Sequence, residues 1–462
     1  MKWSATLAAV VSLVTVVAFA GLIPLGHWQD EYFTLYHFHE SGFAYFGERL
    51  LHWSPRPLSE FFAYLYGLAV YRFDSPLIAE FLAIFWLIFV TAALWPVLHN
   101  RGGFLCACVL TALMLLGHPV TEVFYWPFAT VAYLPTLAAA LWLLTLDWGG
   151  QIERRSGDTW TFIALMVAAA SSEVGALFSA IYIVLLMTGG NLPHIRRHFI
   201  FTIPLLLSAA VLYFQFTGRV AAGGEVFGDP SIAHHALATL GVVAKHLSFE
   251  LLKGDSGHHG SSLLLSGLAT KLLFFCGVYA VMSGGKDSSA STQRRRLILA
   301  LAALATAALT YAAAFYNFGS PCCERHATMR QEYVFIAIGS TASYLAARWP
   351  NRTKRYAGLL LLGAVLIPLV TAFPKLKTEY VNYTAIRRSD NNTWRSGRSA
   401  EPVLRIEQIE QQPVTGSLLI APGTYRIGSQ AHNEVPWMLV FFGKTSAVVT
   451  APANAEGSSG FR

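Results

Sequence analysis

The chain opens on WSATLAAVVSLVTVVAFAGLIPL (Trp3–Leu25) and runs straight into GHWQDEYF (Gly26–Phe33). The first stretch carries no charge. As a helix it is long enough to cross a hydrocarbon core roughly 30 Å thick. The second sets two adjacent carboxylates, Asp30 and Glu31, at the mouth of that crossing. Lys2 and Ala18-Phe19-Ala20 supply the parts of a cleavable signal peptide, but the length of the apolar run favours a retained span.

The same alternation of long apolar runs and short polar links continues along the chain. Of 462 residues, 54% are hydrophobic and only 13% are charged, with a mean hydropathy of +0.47; soluble proteins carry roughly 25% charged residues. A soluble enzyme is excluded, and the expected fold is an all-α polytopic membrane protein with about eleven transmembrane helices. Hydropathy places them over residues 4–25, 76–98, 103–117, 129–146, 160–172, 174–188, 199–216, 261–282, 297–316, 331–347 and 356–373. Two domains follow. Residues 1–373 form the transmembrane part and 374–462 a small α/β C-terminal appendage, with a polar helix over 375–411 and strands at Ser417–Ile420 and Met438–Phe442.

The net charge of +7 does not read as a nucleic-acid footprint, because the basic residues cluster beside apolar runs. With the N-terminus inside, the clusters at His99–Arg101, Glu153–Arg155, His194–His198, Lys286 to Arg296 and Arg348 to Arg355 all fall on one face, as the positive-inside rule requires. This registry depends on reading the short aromatic stretch 57–72, which contains Glu60, as a helix lying in the outer interface. The outer face then collects the loop Gly26–Pro57, the turn His118–Trp126, the loops Thr217–Gly260 and Asn317–Arg330, and the tail. Cys106, Cys108 and Cys276 fall in apolar runs as buried small side chains, whereas Cys322 and Cys323 are neighbours in an outer loop, open to a free or a disulfide-bonded state.

The outer face also carries the unusual residues. Asp30 and Glu31 are a general base or ligand pair near an apolar boundary, where a carboxyl pKa rises toward a value suited to proton abstraction. Arg56, fixed between Pro55 and Pro57 and preceded by His52, can grip a phosphate. Glu122, Trp126 and Tyr133 make an aromatic platform with one acid, and Glu173 splits an apolar run, so it faces a polar cavity or marks a tight outer turn. Arg325, His326 and Arg330 stand at the entry to a span, with Lys253, His258 and His259 as weaker candidates. No P-loop, no dinucleotide fingerprint and no Gly-x-Ser-x-Gly elbow occurs. The pattern implies no cofactor outright and leaves a divalent metal open.

This ordered series resembles the GT-C superfamily of integral membrane glycosyltransferases, which includes protein O-mannosyltransferases and the aminoarabinose transferases of lipid A. The series runs from the acid pair through Arg56-Pro57-Leu58-Ser59, the aromatic platform and the isolated Glu173 to the Arg325–Arg330 loop. Within that superfamily the chain is most similar to bacterial proteins of the O-antigen glucosyltransferase type, a likeness that extends to Pro436–Met438 and Phe442–Val448 of the tail. The tail is smaller than the acceptor-binding domain of oligosaccharyltransferases, and the adjacent cysteines lie outside the family pattern. The resemblance implies a catalytic transmembrane domain in the bacterial inner membrane, with its active site facing the periplasm. It implies a polyprenyl-phosphate-linked sugar donor and a glycan, lipid or protein acceptor. Asp30 or Glu31 would serve as base, and Arg56, Arg325 or Arg330 would hold the departing phosphate with inversion at the anomeric carbon. An O-antigen ligase or polymerase is disfavoured by the early acid motif, and a non-enzymatic lipid-linked substrate transporter or flippase by the apolar spans.

Overall fold

The computed structural model describes residues 2–450 apart from 153–154, 189–194, 222–228, 253–262, 284–288, 322, 350–352, 410–411, 419 and 428–433. The chain begins with α1 (Lys2–Ala20), followed by three helices, α2 (Glu31–Ser41), α3 (Phe43–Glu48) and α4 (Pro57–Phe73). Next come α5 (Ile78–Leu94), α6 (Arg101–Leu113), the single turn α7 (Thr121–Tyr125) and α8 (Pro127–Trp148). The centre of the chain holds α9 (Arg155–Ser171), α10 (Glu173–Thr188), α11 (Ile195–Ala221), α12 (Ala236–Leu252) and α13 (Leu263–Met282). Then follow α14 (Ala290–Phe318), α15 (Glu324–Arg348) and α16 (Ala357–Arg398). The tail closes with β1 (Val403–Glu407), β2 (Gly423–Arg426), α17 (Glu434–Phe442) and β3 (Ser446–Thr450).

Each segment expected to span is helical. By length and composition, six helical stretches among the described residues can cross a membrane: Trp3–Leu25, Ile78–Val97, Pro127–Trp148, Ile200–Gly218, Ala290–Phe318 and Ala357–Arg398. Their outer faces are apolar. α1 exposes Leu7, Val10, Val14 and Val17, and α16 exposes Leu359, Leu366, Val370 and Phe373. Such one-sided stripes suit an apolar surrounding and not water. α4 likewise buries Glu60, Ala63, Tyr66 and Val70 and turns Phe61, Leu65 and Leu68 outward.

The loops divide between two ends of the bundle. At one end Asn100 Nδ2 donates to the Trp148 carbonyl at 2.7 Å, Arg296 pairs with Asp147 at 2.8 Å and Arg295 with Asp158 at 2.8 Å. Tyr279 Oη reaches the Trp349 carbonyl from α13. At the other end Tyr125 Oη donates to the Phe19 carbonyl at 2.8 Å, and the His27 amide to the Tyr125 carbonyl at 3.1 Å. Thr121 Oγ1 there donates to Val414 of the tail at 3.1 Å. Of the expected inner clusters, Glu153, Arg154, His194, Lys286 and Arg352 lie outside the described residues.

Several expectations need correction. α16 runs unbroken through Pro374 to Arg398, so no boundary falls at that proline and the polar helix does not continue to 411. Packing sustains it, since Tyr380 Oη donates to the Ala18 carbonyl of α1 at 2.7 Å. Met438–Phe442 is helical and not a strand, because Val435, Met438, Leu439 and Phe442 recur at helical spacing and are buried together. Ser417 and Leu418 are irregular, and the three-stranded sheet has order β1-β3-β2, with β1 parallel and β2 antiparallel to β3. The expected loop Thr217–Gly260 contains α12, whose Val243 packs with Tyr311 and Phe315 of α14. Cys276 is exposed on the apolar flank while Cys106 and Cys108 are buried, and Cys323 is disulfide-bonded; Cys322 lies outside the described residues.

Candidate functional site

The end of the bundle that carries the tail gathers most of the unusual residues. Asp30 is the N-cap of α2 and Glu31 its first residue. Adjacent positions on a helix diverge by about 100°, and here the two acids part. Glu31 turns inward, fully buried, and accepts from the amides of Gln29 at 2.6 Å and Phe128 at 3.4 Å. Burial first, and the Asp30 charge second, push its pKa well above the usual carboxylate range. Glu31 therefore ties the acid loop to the start of α8. Asp30 stays accessible, yet protein surrounds it on most sides. Desolvation raises its pKa against the opposing pull of Arg49 and Arg325.

Arg56 is held by its own backbone. Its amide donates to the Ser54 carbonyl at 2.7 Å, and Pro57 takes the first position of α4, where a missing N–H costs nothing. The side chain pairs with Glu173 at 2.8 Å and lies 5.6 Å from the Tyr133 ring centroid. Tyr133 Oη donates to the same carboxylate at 3.0 Å, and His326 Nε2 stands 3.4 Å from it. Glu173 reaches this position because α9 and α10 fold back on each other at Ser172. Ser179 Oγ donates to the Leu165 carbonyl across the pair at 3.1 Å, and Gly175 allows the approach: a Cβ there would stand 2.1 Å from the Ala168 carbonyl oxygen. Glu173 thus marks a tight turn and also sits at the centre of a polar cluster.

Arg325 donates to Glu122 at 2.9 Å, lies 5.5 Å from the Trp126 ring centroid, and at 27% side-chain exposure is more open than its partner at 15%. Thr328 Oγ1 joins its helix to the Pro119 carbonyl at 2.5 Å, which fixes the platform turn against α15.

No family model, curated protein or solved structure matches this chain.

Other sequence candidates lie elsewhere. His52 is exposed, in a wide turn over Arg49–Trp53, and joins none of these contacts. Arg330 is buried over the Tyr311 ring at 3.9 Å from its centroid and donates to the Pro321 carbonyl at 3.3 Å. Its contacts brace the loop against α14. Lys253, His258 and His259 lie outside the described residues. Among the described residues no set of three or more His, Cys, Asp or Glu is placed to hold a metal.

Sequence reasoning missed Arg49 and Glu434, and took Glu60 only as an interfacial residue. Arg49 Nε donates to Glu60 at 2.6 Å and Nη2 to its other oxygen at 3.1 Å, while Nη1 reaches Thr34 of α2 at 3.2 Å. Glu434 begins α17, and burial together with the charge of Asp30 raises its pKa to about 7. The available signal for Arg49 was a cation eleven residues before Glu60, the acid in the helix after the prolines. For Glu434 there was none short of the packing of α17 on α2.

The charge pattern is specific. Arg49, Arg56 and Arg325 are each held by a glutamate, Glu60, Glu173 and Glu122. Asp30 has no ion-pair partner among the described residues. Asp30 is therefore an exposed carboxylate with a raised pKa in the fields of Arg49 and Arg325, and Arg325 keeps N–H donors beyond the one it gives Glu122.

Proposed function

We propose that the chain is an inverting glycosyltransferase of the bacterial inner membrane. It crosses about eleven times and moves a sugar from a polyprenyl-phosphate carrier to a glycan, lipid or protein acceptor on the periplasmic face. The observation that carries this reading is the unpaired Asp30 set within reach of the Arg49 and Arg325 fields. A base and an anion-binding group are the two elements that transfer from a lipid phosphate needs.

In the proposed step Asp30 takes the proton of an acceptor hydroxyl, and the oxygen attacks the anomeric carbon. The bond from that carbon to the phosphate oxygen breaks, and the carrier leaves as polyprenyl phosphate, already an anion, with inversion. A raised carboxyl pKa makes the base stronger and better matched to neutral pH. Arg325, the more exposed guanidinium, stabilises the departing phosphate through donors that Glu122 leaves free.

Purified protein and a radiolabelled polyprenyl-phosphate sugar test this. Asp30→Asn should lose about 100-fold or more in turnover, the usual share of a positioned base, while keeping donor binding. Arg325→Ala should raise KM for the lipid donor. Wild-type transfer by both variants would remove the assignment.

A further inference from the structure

A cavity lies behind the acid loop, in the seam between that loop and the tail. It measures about 130 Å³, and its lining includes Trp28, Tyr32, Trp394, Asp390, Glu407 and Gln412. Trp28 meets Trp394 at 5.6 Å and 82° and Tyr32 at 5.0 Å and 74°. The rings therefore meet edge to face in the cavity wall. Asp390 makes no hydrogen bond or ion pair among the described residues, burial raises its pKa to about 7 against the pull of the Arg387 charge, and no Lys or Arg lines the cavity. His27, also in the wall, is kept neutral, its pKa lowered to about 4 chiefly by burial.

This chemistry is the reverse of the Asp30 cleft. With acids and no Lys or Arg in its lining to pair with a phosphate, the cavity is not a donor site. Aromatic rings and carboxylates in one lining suit a ring with a C–H face and several hydroxyl donors. The volume is below the roughly 300 Å³ of a drug-sized pocket, which matches one small ring and not a chain. We infer that the seam cavity binds one unphosphorylated hexose unit, neutral or amine-bearing, of a glycan acceptor. The loop His27–Tyr32 forms part of this wall and also carries Asp30, so a multi-ring acceptor can present a hydroxyl to Asp30 while a neighbouring ring is held here. The link to transfer rests on the proposed glycosyltransferase reading; the binding itself does not.

The test uses the full-length protein in detergent, both wild-type and Asp30→Asn. Calorimetry and saturation-transfer NMR would measure binding of neutral hexose disaccharides, glucosamine disaccharides and a hexose phosphate. Neutral or amino sugars should bind both proteins alike, and the phosphate should not compete. Asp390→Asn should weaken binding about tenfold or more, the typical effect of losing a charge-assisted hydrogen bond. Thr393→Trp, which fills the cavity from its wall, should abolish it, with thermal unfolding showing that both variants stay folded. In the transfer assay Thr393→Trp should raise KM for a glycan acceptor and leave kcat within about twofold, since only ground-state binding is removed. Absence of saccharide binding to wild type, preference for the phosphate, or wild-type binding by both variants would overturn the site. Lost binding with an unchanged acceptor KM would overturn its acceptor role. Absence of transfer by the wild type, with binding intact, would instead count against the transferase reading.

Discussion

A carboxyl that is open to solvent on one side and walled by protein on the others loses hydration without gaining a partner, and Asp30 is in that position. Its raised pKa has two consequences of opposite sign. The proposed transfer needs the charged form, so kcat/KM should fall on acidification with a limb above the ordinary aspartate value of about 3.9, and Asp30→Asn should flatten that limb. Stability runs the other way. A carboxyl whose folded pKa lies above its unfolded value contributes stability that is fully present below the unfolded pKa and lost as pH rises through the folded pKa. Asp30→Asn should therefore raise the apparent Tm at neutral pH while it abolishes activity; a lowered Tm would show that the charge is structurally required. Glu173 behaves differently because it is held by Arg56, Tyr133 and His326. Removing Arg56 leaves a largely buried carboxylate uncompensated, at about 3–5 kcal/mol. Glu173→Ala and Arg56→Ala should each destabilise strongly, and the double variant by clearly less than their sum. Additive losses in thermal melts would mean that the pair is not coupled. Most of this cluster was legible in the sequence because a charge in an apolar context is expensive and stands out. Arg49 was not legible, since a mixed segment such as Gly47-Glu48-Arg49-Leu50 gives no such contrast.

Placement of those side chains depends on how neighbouring helices approach, and the α9–α10 pair shows it most directly. Gly175 leaves no room for a Cβ against Ala168 and Thr136, so Gly175→Ala should pry the hairpin open and move Glu173 away from Arg56. We expect a loss of about 1–3 kcal/mol, typical of overpacking, together with loss of transfer. Gly241 in α12 has nothing within 4 Å of a Cβ, and Gly241→Ala should be neutral or stabilising by about 0.5–1 kcal/mol. Equal melting temperatures for the two variants would contradict the tight turn. Helix positions were readable from hydropathy because long apolar runs have one main solution in lipid. The tail was less readable. Met438-Leu439-Val440-Phe441-Phe442 is apolar at every position, so periodicity alone does not separate a buried strand from a buried helix. What decides is tertiary: α17 packs its aromatic residues onto α2, with Phe33 and Trp437 at 4.5 Å and Tyr32 and Phe441 at 5.5 Å. In α16, contacts with α1 outweigh the hydrogen bond that Pro374 removes.

At the scale of the whole molecule, charge and chemistry are divided between the two ends of the bundle. One end holds Arg295 and Arg296 with Asp158 and Asp147 beside the Asn100 loop; the other holds Asp30, Arg56, Glu173, Arg325 and the tail. The tail is not a separable body. Ile386, Leu404, Val435, Phe442 and Val449 belong to the same buried cluster as Leu25, Trp28 and Tyr32, so the acid loop and the sheet share one core. That sharing fixes the tail and the Asp30 cleft on one side of any membrane the bundle crosses. Under the proposed reading the positive-inside rule assigns the sides, with the dense basic loops toward the cytoplasm and the tail outside. Cysteines introduced at Ser291, at the exposed start of α14, and at Ala400, just past α16, should label oppositely with a membrane-impermeant maleimide in intact spheroplasts. Ala400→Cys should react at once, and Ser291→Cys only after lysis, each compared with the parent protein. Reaction of both before lysis would break the two-ended arrangement. Reaction of Ser291→Cys alone would invert it and place Asp30 in the cytoplasm, where a periplasmic acceptor could not reach it.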